Sequence, residues 1–426
     1  MGRSMARSFL FCYLAQISHI WYNLCMDRTV RIQLQPNTEQ SQVLQETLVQ
    51  FTVAYNQVCV YGWQHSEKNG VRLHHATYYE TKSLCPGLVS DLLIQARVKA
   101  TETLRSAFAW KAKKEASYPK KVANAQKQGK PVPLFKPVRC PSSEQCAVRY
   151  NVHTYSLNWE TQTIRVSTTQ GKMTLPFTVP HFSERYRGCK IATADLIHRK
   201  GKWWLHVVVN VPEPVVQAND TVVGVDLGLN RPAVTSNRHF LGSRHWKEVD
   251  RRTFRLRRKL QSKGTTSAKR HLKKLSRKQM LFHRDCDHVL SKRIVQSVTP
   301  GATIVLENLT NIREGVRHRK GEGQRKLHSW SFAQLYGFIV YKGQEQGMVV
   351  ERIDPRHTSQ TCSRCGHQAR NNRRSQSVFH CRSCGYQLNA DLNAAYNIRD
   401  KFCLAQGGRP VLSGSLSDVL SSHASA

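Results

Sequence analysis

Four cysteines have the spacing of a metal site. Cys362-x-x-Cys365 and Cys381-x-x-Cys384 are separated by 15 residues. Each CxxC knuckle turns two thiolates toward one ion, and the spacer is long enough for a hairpin. Four thiolates complete a tetrahedron and leave no position for a reactive water, so the expected ion is a structural Zn²⁺. Such a centre carries two negative charges, which Arg364, Arg370, Arg373, Arg374 and Arg382 are placed to offset. His367 and His380 lie nearby as substitute ligands, and a redox CxxC pair is the rival reading.

Three acids form a second constellation. Asp226 ends the apolar run TVVGVD, Glu307 ends ATIVLE, and Asp391 opens DLNAAYNIRDKF. If the first two runs are parallel neighbouring strands, both carboxylates emerge at one sheet edge. The third then reaches that edge from a helix whose Ala394 and Ala395 allow close packing. Converging carboxylates repel one another unless a hard cation such as Mg²⁺ or Mn²⁺ sits between them. Two ions about 4 Å apart would activate a water and stabilise the departing 3′-oxygen of a phosphodiester. Gly224 and Gly228 flank the first acid and admit backbone or substrate. Each acid alone is a weak signal, because a strand-ending Asp is commonly a cap or a surface group. The order strand-Asp, strand-Glu, cysteine knuckles, helix-Asp is the specific one.

Charge names the partner class. Lys and Arg total 65 against 28 Asp and Glu, a net charge of +37 in 426 residues. A compact fold so charged repels itself unless a polyanion neutralises it, and each phosphate contact also releases counterions. Ribosomal-type and membrane-surface proteins share this property, and charge distinguishes neither DNA from RNA nor binder from enzyme. Residues 247–293 hold 17 Lys/Arg against Glu248, Asp250, Asp285 and Asp287. Arg251, Arg255, Arg258, Lys273, Lys274, Arg277, Arg317 and Lys320 are the candidate phosphate contacts. Trp203 and Trp204 offer base-stacking rings, unless one packs inside the fold and the other on its surface.

The elements that must position these groups follow from periodicity. Residues 28–35 alternate as a strand. A helix with Asn37 or Thr38 as cap carries Val43, Leu44, Leu48, Phe51 and Tyr55 on one face. Pro86-Gly87 breaks the chain, and a second long helix starts near Ser90. Residues 111–139 are basic and read as a loop. Residues 145–215 hold short β-branched and aromatic runs, a small antiparallel barrel or sandwich. Strands at 221–226, 302–307 and 347–353 enclose two basic helices around Gly264, a basic loop after Glu307 and a helix from Ser331 to about Glu345. The chain has 13 cysteines, and those outside the knuckles, such as Cys59, Cys140, Cys189 and Cys286, show no disulfide framework, which suits a reducing cytosol. No apolar run spans a membrane. Phe9 to Ala15 mimics a signal peptide but is followed by Gln16, His19 and Asn23; the alternative is that Met26 is the working start.

GVDLGLNRPAV, IVLENL and TSQTCSRCG…HCRSCGYQLNADLNAAYNI resemble the RuvC segments and zinc ribbon of the TnpB family, the OrfB-type proteins of insertion sequences related to type V CRISPR effectors. The motifs cover about 220 to 400; RTVRIQLQPNTEQ and the helix after it are a looser match. The resemblance implies an α/β multidomain chain. Its parts would be an RNase H-like (RuvC) mixed sheet with flanking helices, an inserted zinc ribbon, and an N-terminal β-barrel wedge domain interrupted by a helical recognition domain. The expected boundaries are an N-terminal extension at 1–25, a wedge barrel at 26–36 and 130–215, and a recognition domain at 37–129. RuvC follows at 216–355 and 388–405 with a basic helical insertion at 247–298, then a ribbon at 356–387 and a tail at 406–426. Asp226, Glu307 and Asp391 match the family's catalytic and Mg²⁺-binding acids, and Cys362, Cys365, Cys381 and Cys384 its zinc ligands; Asn393 and Asn397 fall in its final helix without a clear role. The implied function is RNA-guided cleavage of double-stranded DNA in a prokaryotic cytoplasm. The partners would be a guide RNA and target DNA, with no membrane, and the chain a monomer or weak dimer. An RNA-guided repressor that does not cut, and a transposase or its accessory protein, are the alternatives.

Overall fold

The computed structural model describes residues 25–214, 219–310, 312 and 322–407. The expectations for the first 24 residues and for a tail beyond 407 lie outside them, as do those for Arg317 and Lys320. The chain divides into two compact units that meet between Pro212 and Glu213.

The first unit joins an antiparallel sheet to three helices. Strand β1 (Cys25–Leu34) leads into α1 (Thr38–Gln64), α2 (Gly70–Leu84) and α3 (Ser90–Lys127). Then come β2 (Val148–Tyr150), β3 (Tyr155–Asn158), β4 (Thr163–Thr168), β5 (Gly171–Thr178), β6 (Lys190–Arg199) and β7 (Lys202–Pro212). The sheet order is β2-β6-β7-β1-β5-β4-β3. Period-2 alternation places Val30, Ile32 and Leu34 inside, against Leu44, Leu48 and Phe51 of α1, so sheet and helices share one apolar core. The edge strands β2 and β3 approach each other through the Tyr150 and Tyr155 rings, 6.4 Å apart, and the sheet is curled nearly into a barrel. Asn37 caps α1 in a reciprocal box with Gln40.

Two expectations change here. Residues 111–127 continue α3 rather than forming a loop, with Pro119 inside the helix. Their Lys and Ala are good helix formers, and an exposed basic helix shows no apolar stripe to read. Helix α2 escaped the pattern because it buries only Leu73, Thr77 and Thr81, and the threonines satisfy their hydroxyls on the carbonyl four residues back. Trp203 packs inside with its indole N–H donating to Ser41 at 2.9 Å, while Trp204 is half-buried on the other face.

The second unit begins with β8 (Val222–Asp226), β9 (Ala233–Thr235) and β10 (Phe240–Leu241). The basic helices α4 (Arg244–Lys263) and α5 (Thr266–Gln296) follow, hinged at Gly264 in the left-handed conformation. The remaining elements are β11 (Thr303–Glu307), α6 (Glu322–Ser329), α7 (Phe332–Gln344), β12 (Val349–Ile353), the hairpin β13 (Val378–His380) and β14 (Gln387–Asn389), and α8 (Ala390–Ala405). Arg325 therefore lies in a helix, not in a loop.

The sheet order is β10-β9-β8-β11-β12, with β8, β11 and β12 parallel and β9 and β10 antiparallel. Val223, Val225, Ile304 and Leu306 pack on Leu290 and Ile294 of α5 and Leu335 and Ile339 of α7. The opposite face receives α8. Burial on both faces explains why β8 and β11 read as unbroken apolar runs. The architecture is mixed α/β, and no helix of the described residues is long and apolar enough to cross a membrane.

Candidate active site

The register of the parallel strands decides where the acids stand. Leu306 pairs with Val225, so Glu307 and Asp226 follow side by side at the same carboxyl end of the sheet. Helix α8 brings the third acid. Its cap Asn389 accepts hydrogen bonds from the Asp391 and Leu392 amides at 3.1 and 3.2 Å, which fixes Asp391 in the first turn. The helix lies so close to β8 that a Cβ on Gly224 would fall 2.2 Å from the Ala395 carbonyl oxygen and 2.6 Å from the Arg399 amide. Gly224 is therefore required by the approach of two backbones. Gly228 serves the turn itself, where a Cβ would meet the Arg231 carbonyl at 2.9 Å.

All three acids are half-buried. Loss of solvent, and then the charges of Glu307 and Asp391, push the Asp226 carboxyl well above the ordinary carboxylate range, and Arg373 opposes the shift. Burial also raises Glu307, against a hydrogen bond from Thr358 and the charges of Lys401 and Arg373. The Thr358 hydroxyl donates to Glu307 Oε1 at 2.5 Å, and Arg373 Nη2 pairs with Asp391 Oδ1 at 3.1 Å.

Oxygen-only donors under mutual repulsion are what a hard cation favours, so the electrostatics is compatible with a cation site. One ion held by all three acids at ~2.1 Å would need their oxygens within ~4.2 Å of each other. Among the described residues only the cysteine set has its ligand atoms all within 4.8 Å. As placed, Asp226, Glu307 and Asp391 do not meet that spacing as a set.

The cysteines are already gathered. The Sγ atoms of Cys362 and Cys384 are 3.8 Å apart, and those of Cys365 and Cys381 3.6 Å apart. A tetrahedron with ~2.3 Å bonds to sulfur has edges of ~3.8 Å, so the thiols fit an ion of zinc's size without rearrangement. The spacer doubles back on itself through an antiparallel bridge between Arg373 and Phe379, and β13, at its end, pairs with β14 around the second knuckle. A further correction concerns Arg373. Its guanidinium does not balance the thiolate charge but reaches Asp391 and the Gln376 carbonyl. Arg364 lies over the Tyr386 ring.

Asn393 and Asn397 acquire a role. Asn393 is fully buried, donates to the Thr361 carbonyl at 2.8 Å and accepts from the Ser363 amide at 3.0 Å. Asn397 donates to the carbonyls of Thr358 and Thr361 at 2.7 Å each. They bolt the first knuckle to α8 and hold Thr358 where it meets Glu307. Thr358 carries no sequence signal of its role, and Arg373 was legible only as a cation near the cysteines, not as the partner of Asp391. Thr358 opens the run TSQTC, but nothing in its type distinguishes a ligand's partner from a surface hydroxyl.

Arg251, Arg255 and Arg258 are exposed on α4, and Lys273, Lys274 and Arg277 on α5. They leave the helix surfaces positively charged, although Glu248 pairs with Arg252 and Asp250 with His283.

A family model described as Cas12f1-like, TNB domain matches residues 332–398, the stretch holding the knuckles and Asp391. The CRISPR-associated endodeoxyribonuclease Cas12f1 of Sulfoacidibacillus thermotolerans is 32% identical over 232 residues, 49% of this chain and 53% of that protein. InsQ of Escherichia coli (strain K12) is 30% identical over 46% of this chain and 53% of its own length. The TnpB-like protein MJ0751 of Methanocaldococcus jannaschii is 31% identical over 30% of this chain and 46% of its own. The chain thus spans about half the length of these curated relatives. Among solved structures, a Cas12f1-sgRNA-target DNA complex aligns over 85% of this chain and 83% of that one, with a TM-score of 0.53 at 16% identity, a likeness of fold. Over these stretches the chain is similar in sequence to TnpB-like proteins and Cas12f1 endodeoxyribonucleases, and it is similar in fold to the solved Cas12f1.

Proposed function

We propose that the chain is an RNA-guided DNA endonuclease whose second unit is a RuvC-type, RNase H-like nuclease. The observation that carries this reading is the parallel, adjacent pairing of β8 and β11, which delivers Asp226 and Glu307 to one sheet edge beneath the first turn of α8 and Asp391. The mixed sheet, the cysteine cluster beside the last acid and the excess of basic residues support it. So do the relatives, one named an endodeoxyribonuclease and one solved with guide RNA and target DNA.

Asp226, Glu307 and Asp391 would hold two divalent ions, Mg²⁺ or Mn²⁺, which when bound supply Lewis acidity to the scissile phosphate and lower the pKa of a coordinated water. The chain's own residues orient that chemistry. Thr358 fixes the Glu307 carboxylate, and Asn397 fixes Thr358. Arg373 stands as a resident cation beside Asp391, placed to meet the phosphate's charge. The four cysteines would hold one Zn²⁺, closed to water and purely structural. The exposed cations of α4 and α5 would carry the nucleic acid.

The test is cleavage of a duplex matching the guide, by the chain purified with its RNA in Mg²⁺. Asp226→Ala is expected to lose at least ~10³-fold in cutting rate while binding the target as before. A chain that binds matched duplex but cuts with no flanking motif would be a guided repressor, and the nuclease reading would fail.

A further inference from the structure

The second unit contains a cavity of about 400 Å³ that the cutting chemistry does not use. Its size is that of a small-molecule site. The walls are aromatic: Trp246 and Phe254 of α4, Phe282 of α5, and Trp330. Arg325 lies over the Phe254 ring at 3.7 Å and extends its flat surface with a guanidinium plane. At one side His283 Nε2 and Asp250 Oδ1 are 2.7 Å apart, and Asp287 accepts from the Ser331 hydroxyl at 2.5 Å. Lys247 and Arg251 line the cavity yet are exposed, which puts two cations at its mouth. The turn Gly228–Leu229–Asn230, beginning two residues after Asp226, forms part of the wall.

These groups select a ligand class. Flat apolar walls with a guanidinium plane stack a heteroaromatic ring. A carboxylate–imidazole pair and a second carboxyl offer donors and acceptors to a ring edge. Cations at the entrance suit a phosphate attached to that ring. Burial and the adjacent aspartates push the thiol of Cys286, which also lines the cavity, up to about 12, which keeps it protonated and a poor nucleophile.

We propose that this cavity receives one unstacked base of a nucleic-acid strand, held by the aromatic walls and read at its edge by Asp250 and His283, with the phosphate at Lys247 and Arg251. The inference rests on the chain's engaging nucleic acid, not on its cutting it. Stacking on such walls offsets the cost of taking a base out of its stack.

The experiment titrates the full chain with AMP and with dAMP and follows tryptophan fluorescence, since Trp246 and Trp330 line the site. Both nucleotides should quench saturably, and ribose 5-phosphate should not. A preference for AMP would assign the base to RNA, and one for dAMP to DNA. A short single-stranded oligoadenylate should compete, and the same strand with abasic residues should not. Phe282→Ala should weaken binding at least ~10-fold. Asp250→Asn, at a half-exposed carboxylate, should weaken it several-fold without disturbing the fold. Equal quenching by ribose 5-phosphate, no effect of either substitution, or no competition by oligoadenylate would each overturn the proposal. Asp226→Ala should bind AMP unchanged, so a failure of the nuclease reading would be seen separately.

Discussion

The cysteine cluster and the carboxylate edge belong to one unit and are assembled in opposite ways. The four thiols come from 23 consecutive residues, are held by local turns and already stand within bonding range of one ion. The three acids come from positions 226, 307 and 391 and meet through strand register and helix packing. Their oxygens are more widely spaced, and an arginine borrowed from the cysteine region is paired with one of them. A closed set of soft ligands organises structure. An open set of hard ligands under mutual repulsion is what the proposed cutting chemistry would need to take up cations. The two are also coupled, because Asn393, Asn397, Thr358 and Arg373 all bridge the cysteine region to the acid edge.

Breaking the closed set should have the largest effect. Chelating any ion held by the four thiols, or Cys381→Ser, should unfold the cysteine region locally, because metal binding there would be its folding free energy. Hydrogen exchange should show residues 356–387 losing protection, and cutting should fall with it. Undiminished protection in the chelated chain would mean the thiols need no metal.

Next comes the packing that assembles the open set. In Gly224→Ala the new methyl must displace the backbone of α8, since Ala395 O lies 2.2 Å away. A destabilisation of at least about 1–3 kcal/mol is expected, read by urea unfolding, together with weaker Mn²⁺ binding. Wild-type values for both would show that α8 can retreat freely.

Thr358→Val tests the coupling itself. It removes the hydroxyl on Glu307 but keeps the shape, so metal affinity and cutting should fall ~10–100-fold while zinc content stays constant. An equal loss of zinc would instead place Thr358 in the ribbon's stability.

The effect most remote from cutting concerns Asp287, a buried carboxylate outside both sets. Burial lifts it from 3.8 to about 6, partly offset by Ser331 and His283. A raised carboxyl adds stability that is fully present below the ordinary value and is lost as pH rises through about 6. The loss between pH 4 and 7 should be about 2–3 kcal/mol, and Asp287→Asn should flatten it, as followed by thermal unfolding. An unchanged slope would assign the dependence to other groups.

Much of this was legible because some chemistry is written locally. Thiolate spacing specifies a knuckle wherever it folds, and apolar runs ending in Asp226 and Glu307 announce strands buried on both faces. Asn37, with Gln40 three residues on, announces a helix start. The illegible parts share a cause. Helix α2 buries threonines, and residues 111–127 bury almost nothing, so neither carries a hydrophobic period. Arg373 sits among four other ribbon arginines, and its sequence neighbours gave no reason to send it to Asp391.

By itself the sequence determined the ligand types, the cysteine geometry, the strand ends that bear the acids and the affinity for polyanions, all properties of residues and their near neighbours. Only the tertiary structure decided which strands pair, how closely α8 lies on Gly224, that Thr358 and Arg373 serve the acids, and that an aromatic cavity opens beside the β8–β9 turn. Those are contacts between segments distant in the chain, set by register and packing, and no local pattern encodes them.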